Sequence, residues 1–401
     1  LRALPICICL LVSCGAPPVE LPSPPKLFET VAASPVTGSA LPKTTVNLGE
    51  DVVRVGLSLD GTLVAGTTQS TWELVGGALE KRTLYAAAGE QTSLGAVTSI
   101  APRLAGGAWL SAANGLFVLQ GEYVTKSPLT AGTFALEQPR GPLAGLWLGT
   151  PDGLVRRTVT TTQRFTVDGR SPQVDRLAIE PNGNAAIAVI GGLTLVLRAD
   201  ATGLTSERPP LAMPVALAVA ASADTLYAAT SSGLWRYAAK AEGLAWTRML
   251  LSSGTEPKLL EALAVDPVSG ALWARATSEL IKLEGDTATT YPAAMTMAGF
   301  TVDRLGDLWL PEGKSLHQVK TGSAMPVSFA TQLKPWLTKN CTACHADFAE
   351  PGPFAMRAEN ALARVLSGDM PRCTGGLPCP SGQRLTDTAV LEQWIRNGKQ
   401  P

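Results

Sequence analysis

One theme recurs seven times between about Asp51 and Gly322, and any fold for this chain has to accommodate it. Each copy has an alternating apolar run, a short turn, a strand carrying Leu-Trp or an equivalent, a second turn, and Gly-Leu opening a further strand. The copies contain GTLVAGTTQS at Gly61, GAWLSAANGLFVL at Gly107, GLWLGTPDGLVRR at Gly145, NAAIAVIGGLTLVL at Asn184, DTLYAATSSGLWRY at Asp224, GALWARATSELIKL at Gly270 and GDLWLPEGKSLHQV at Gly306. With Val64, Trp109, Trp147, Ala186, Tyr227, Trp273 and Trp309 taken as equivalent, successive copies stand 36 to 46 residues apart. That is the period of propeller blades.

Alternation at Leu57, Leu59 and Leu63 around Asp60-Gly61, and at Leu177 and Ile179 before Asn182-Gly183, marks half-buried strands joined by tight hairpins. A lone four-stranded blade cannot bury both faces, but a ring of blades can, with tryptophans filling the gaps between neighbours. The expectation is an all-β, seven-bladed β-propeller over residues 51–322, its tryptophans structural. Phrases such as GLWLGTPDGLVRR and TLYAATSSGLWRY resemble the repeat of two-component-regulator propellers, whose sensor relatives are also seven-bladed. Because the matching residues are packing and turn residues, the resemblance concerns the fold and carries no catalytic residue over.

The charge balance, 33 basic against 33 acidic residues, offers no field for nucleic acid or acidic lipid. At the N-terminus, Arg2 precedes an apolar run from Ala3 to Val12 that is too short to span a bilayer and reads as a secretory signal over residues 1–13. Its end, Leu11-Val12-Ser13-Cys14-Gly15, resembles the lipobox of bacterial lipoproteins, which implies a lipid on Cys14; an ordinary signal peptide with an incidental cysteine is the alternative. Gly15 lacks the aspartate that retains some lipoproteins at the inner membrane, which favours the outer membrane. Residues 14–50, rich in Pro, Ser, Ala and Thr, read as a flexible tether.

After Gly322 the pattern turns helical. Pro335 suits the opening of a short helix (PWLTKNC), Arg357 to Leu366 reads as a second and Leu385 to Asn397, with Thr386 as N-cap, as a third. So small an all-α domain, residues 323–401, needs a cofactor to complete a core. Cys341-Thr342-Ala343-Cys344-His345 supplies the C-x-x-C-H spacing of c-type haem attachment: two thiols for the porphyrin vinyl groups and an imidazole for the iron. Ser367-Gly368-Asp369-Met370-Pro371 resembles the Gly-x-Met-Pro element of class I cytochromes, and WIRNG, Trp394 to Gly398, resembles their last helix. The resemblance implies one covalent haem c on Cys341 and Cys344, with His345 and Met370 as axial ligands. The stretch from His345 to Met370 is short for that family, and Met356 is the alternative sixth ligand.

Of the seven cysteines, Cys7 and Cys9 leave with the signal, Cys14 takes lipid and two take haem, which pairs Cys373 with Cys379 as a disulfide in an oxidising compartment. Four thiolates on zinc is the competing reading, but five residues rather than two separate Cys373 from Cys379. A bare redox disulfide between Cys341 and Cys344 is another. His317, the other histidine, reads as a blade-edge residue.

The leading functional expectation is an exported, lipid-anchored electron-transfer protein whose propeller docks a redox partner, a protein or a small-molecule electron donor or acceptor. Two alternatives stand beside it: an oxidoreductase with a substrate site in the propeller, and a ligand- or redox-sensing binding module.

Overall fold

The computed structural model describes residues 28–322, apart from 60, 76–77, 86–92, 130–131, 152, 166–172, 201–202, 223, 239–244, 252–257, 294–298 and 304, and then 327–341, 345–367 and 389–396. The strands form seven sheets, each with a core of four neighbouring strands. Blade 1 runs from Val52 to Lys81, blade 2 from Val97 to Lys126, blade 3 from Phe134 to Phe165, blade 4 from Val174 to Glu207, blade 5 from Ala218 to Leu250, blade 6 from Ala262 to Pro292, and blade 7 from Thr301 to Val319. Within each blade the strands pair antiparallel in sequence order. First strands of successive blades lie against one another all the way round, blade 7 meeting blade 1 again, so the ring is closed and the first strands line its axis.

Every sequence copy coincides with the second strand of a blade. Those strands are largely apolar without alternation because both faces are covered by neighbouring blades: Leu63–Thr67, Ala108–Ala112, Ala185–Ile190 and Leu272–Ala276 are buried throughout, the last with Arg275 among its apolar residues. The hairpins ahead of them turn on glycine. Gly61 (φ 79°) and Gly183 (φ 70°) occupy the left-handed region and donate their N–H groups back to the Ser58 and Glu180 carbonyls, at 3.0 and 2.8 Å. In blades 6 and 7 a buried aspartate organises the same turn. Asp303 accepts from the Leu305 and Asp307 N–H groups and, through its other oxygen, from Trp309 Nε1 at 2.9 Å.

Between blades, large and small side chains interlock. A Cβ at Gly66 would lie 2.6 Å from Val97, and one at Gly56 would lie 2.7 Å from Ile100, so glycine on blade 1 is what lets blade 2 approach. Trp147, Trp235 and Trp273 are completely buried, and Trp147 stacks on Phe165 at 5.5 Å.

The N-terminal segment departs from the expected tether. Residues Glu29–Ala32 and Ser34–Thr37 add parallel fifth strands to the outer edges of blades 5 and 6, and Lys43–Asn47 pairs antiparallel with Ser315–Val319 as the outermost strand of blade 7. The tether reading over 14–50 is therefore corrected from residue 29 onward, and the propeller begins earlier than residue 51. The expected signal over 1–13 and the lipidation at Cys14 lie outside the described residues.

The C-terminal segment has the expected helical character. A wide turn, Phe329–Leu333, leads into α1 (Lys334–Asn340), with Pro335 in its first turn; then come a 3-10 turn (Ala346–Ala349), α2 (Pro351–Ala355), α3 (Ala358–Ser367) and α4 (Ala389–Arg396). Phe329, Leu333, Leu337, Phe348, Phe354 and Trp394 are buried in one cluster of their own.

Candidate functional site

Two places in the described residues carry chemistry. The first is the border of the C-terminal cluster. Cys341 caps α1, its N–H donating to the Leu337 carbonyl at 2.7 Å, and its own carbonyl accepts from the His345 N–H at 3.0 Å. The thiol packs against the apolar cluster, and burial pushes its pKa up to about 11. The His345 ring stacks on Phe348 at 4.7 Å, and Phe348 in turn meets Phe354 edge-on at 4.8 Å. The sulfur of Cys341 and the imidazole of His345 thus border the same aromatic cluster.

Cys344, Met370, Cys373 and Cys379 lie outside the described residues. Met356 is 82% exposed. Among the described residues no three His, Cys, Asp or Glu side chains converge as a metal site.

His317 is not an edge residue. It is buried in blade 7, with Nε2 hydrogen-bonded to Glu312 at 2.9 Å and Nδ1 to the Thr45 hydroxyl at 2.8 Å. Since Thr45 belongs to the closing strand, the imidazole clips that strand to its neighbour.

The second place was not singled out from sequence: a cavity of about 420 Å³ on the propeller axis, lined by the first strands or the loops just before them in all seven blades and by Pro311 on the second strand of blade 7. Its charged lining side chains are Arg54, Asp175, Arg176 and Glu261. The first strands of blades 1 and 4 carry an irregularity in register just before these arginines, between Val52 and Arg54 and between Val174 and Arg176. Such bulges re-aim side chains and recur beside binding sites. Arg54 donates from Nε to the Thr98 carbonyl at 2.9 Å, and its Nη1 lies 3.1 Å from where a Gly299 Cβ would stand. Burial holds the Arg54 guanidinium below its usual range, and the positive charge of Arg176 lowers it further. Glu261 is engaged by Arg275, and Asp175 accepts from Gln173 at 3.0 Å. The sequence signal was the shared pattern Val-x-Arg followed by Val or Leu at Val52-Val53-Arg54-Val55 and Val174-Asp175-Arg176-Leu177, an arginine at one position of two repeat copies.

No protein-family model and no curated protein matches the chain. Solved structures do. The extracellular domain of a one-component system from B. thetaiotaomicron superposes with a TM-score of 0.54 at 12% identity, covering 73% of this chain and 41% of that one. The extracellular domain of a hybrid two-component system from the same organism gives 0.50 at 12% identity, over 71% and 42%. A streptogramin B lyase gives 0.51 at 13% identity, over 70% of this chain and 97% of the lyase. The chain thus spans about two-fifths of the length of the B. thetaiotaomicron chains. At these identities the likeness is one of fold, and the fold is the seven-bladed β-propeller, of the kind found in extracellular domains of bacterial two-component systems.

Proposed function

We propose that the chain is a ligand-binding propeller module of the bacterial cell envelope. The observation that carries this reading is the axial cavity, whose volume of about 420 Å³ falls in the range of small-molecule sites and whose lining is supplied by a rigid closed ring. The fold it shares with extracellular domains of two-component systems, and the secretory character of residues 1–13, support the envelope location; a lipid on Cys14, with the outer membrane as its place, belongs to the same proposal. The test is thermal denaturation of the full chain with small neutral, anionic and cationic compounds. A ligand confined to the native state raises Tm in proportion to RT ln(1 + [L]/Kd). Ser99 lines the cavity, so Ser99→Trp should abolish the shift. A shift that survives Ser99→Trp, or no shift with any class, refutes the reading.

A second reading is favoured by the Cys341 and His345 geometry: electron transfer by one covalent haem c, with the propeller as docking platform. Cys341 borders the apolar cluster beside His345, which is compatible with such a group: Cys341 and Cys344 would hold it as thioethers, and His345 and Met370 would supply nitrogen and sulfur to its iron. When bound, the haem supplies reversible one-electron chemistry, and the protein's part is to fix its ligands and shield it. Full-length protein matured in a periplasm with haem-attachment machinery should show a covalent haem spectrum that Cys344→Ala removes. A colourless protein, or one containing zinc instead, refutes this reading.

A further inference from the structure

Positive charge is brought to the propeller axis from two sides. Blades 1 and 4 stand three places apart in a ring of seven, so Arg54 and Arg176, equivalent in register on their first strands, face the axis from nearly opposite directions. Among the described residues the Arg54 side chain makes one hydrogen bond, to the Thr98 carbonyl, and the Arg176 side chain makes none. Neither is paired with a carboxylate among the described residues. Of the two acids in the lining, Glu261 is taken by Arg275, itself buried, and Asp175 is held by Gln173 beside Arg176. One carboxylate therefore remains to set against two guanidiniums.

Like charges brought together in a partly desolvated cavity cost stability unless something of opposite sign sits between them. The arrangement is also built to hold its shape. The Thr98 carbonyl fixes Arg54 at Nε, which leaves both Nη groups for another acceptor, and Gly299 lets one of them lie close to the backbone of blade 7. The planar fork of a guanidinium matches two oxygens of a carboxylate or phosphate.

We propose that the axial cavity binds a small oxyanion, a carboxylate or phosphate group, between Arg54 and Arg176. The inference rests on the reading of the propeller as a binding module and adds the charge class and the residues. A Cβ at Gly299 would stand 3.1 Å from the Arg54 Nη1, which would have to give by a few tenths of an ångström.

The test is calorimetric titration of the full chain, at low salt, with inorganic phosphate, succinate and glucose. The expected result is one saturable site for phosphate or succinate, weakened about tenfold or more by Arg176→Gln and by Arg54→Gln, and weakened by added salt. Arg54→Lys keeps the charge but loses the Nε bond to Thr98, and its affinity should fall between those of the wild type and Arg54→Gln. Binding of phosphate alone identifies a tetrahedral ligand, and binding of succinate alone a carboxylate. Because Arg176 is exposed in the open cavity, Arg176→Gln should leave the circular dichroism spectrum unchanged. Anion binding that is equal in wild type and both glutamine variants overturns the proposal as adventitious. Glucose binding that Ser99→Trp abolishes, without anion binding, also overturns it while leaving the binding-module reading standing. Failure of all three probes overturns the oxyanion site, and the wider reading then depends on the thermal screen.

Discussion

The tryptophan at position 147 offers the sharpest test of how the ring is held together. Its side chain is completely buried in the cluster that joins blade 3 to blade 4, stacked on Phe165 at an interplanar angle of 17°, with the Arg156 guanidinium over the ring at 5.6 Å and Nε1 donating to the Leu143 carbonyl at 2.9 Å. Replacing it by alanine removes the burial and leaves a cavity, which costs about 3–5 kcal/mol in well-packed cores. For a unit of this size that corresponds to a fall in Tm of roughly 5–8 °C. Trp147→Phe keeps the stacking and most of the volume but orphans the carbonyl, and should cost only about 1–2 kcal/mol. Trp72, which is partly exposed, is the internal control, and its alanine variant should fall well below Trp147→Ala. Thermal denaturation of the three full-length variants measures the series. If Trp147→Ala costs less than about 1 kcal/mol, as an exposed substitution would, the tryptophans are not what fills the space around the second strands, and the packing argument fails.

Gly66→Ala places a methyl group 2.6 Å from Val97 and should destabilise by about 1–3 kcal/mol in the same assay, an overpacking cost that Val97→Ala in the same chain should partly relieve. Glu50 is held near pKa 2 by the ammonium of Lys81 first and the Ser70 and Thr67 hydroxyls next, against an ordinary 4.5. Its contribution should therefore be complete above about pH 4.5 and lost as pH falls toward 2, and Glu50→Gln should flatten that part of the stability profile. Asp303→Ala strips the acceptor from the buried Trp309 Nε1 and two turn N–H groups, and should lower stability by about 2–4 kcal/mol, read from urea midpoints.

The seven blades were legible because each second strand is an apolar run following a turn, and burial on both faces leaves little freedom in composition. The closing strands were not. Residues of Ser34–Thr37 and Lys43–Asn47 are exposed along their whole length, so they carry no apolar period; what places them is backbone pairing with an open sheet edge, which almost any non-helical sequence can supply. The tether-like composition around Pro35 and Pro42 pointed the other way. In the C-terminal segment Pro335 announced α1, whereas α2, a five-residue helix, has no room for a pattern. The Cys341 and His345 candidates stood out because they belong to a C-x-x-C-H run, a spacing legible without any fold. Arg54 and Arg176 did not, since an arginine in an alternating strand looks like a solvated face until a closed ring turns that face toward the axis.

The clip between Thr45 and His317 joins residues 272 positions apart. A ring whose last sheet borrows its outer strand from the start of the chain cannot be completed by any partial product. Until residues 301–319 have been made, the strand at 43–47 has no partner and the first blade no second neighbour. Closure therefore adds a contact of very long sequence separation, the kind that slows folding. Once made, the same long-range pairing couples the opening of blade 7 to release of the N-terminal segment, so the ring resists fraying from either end.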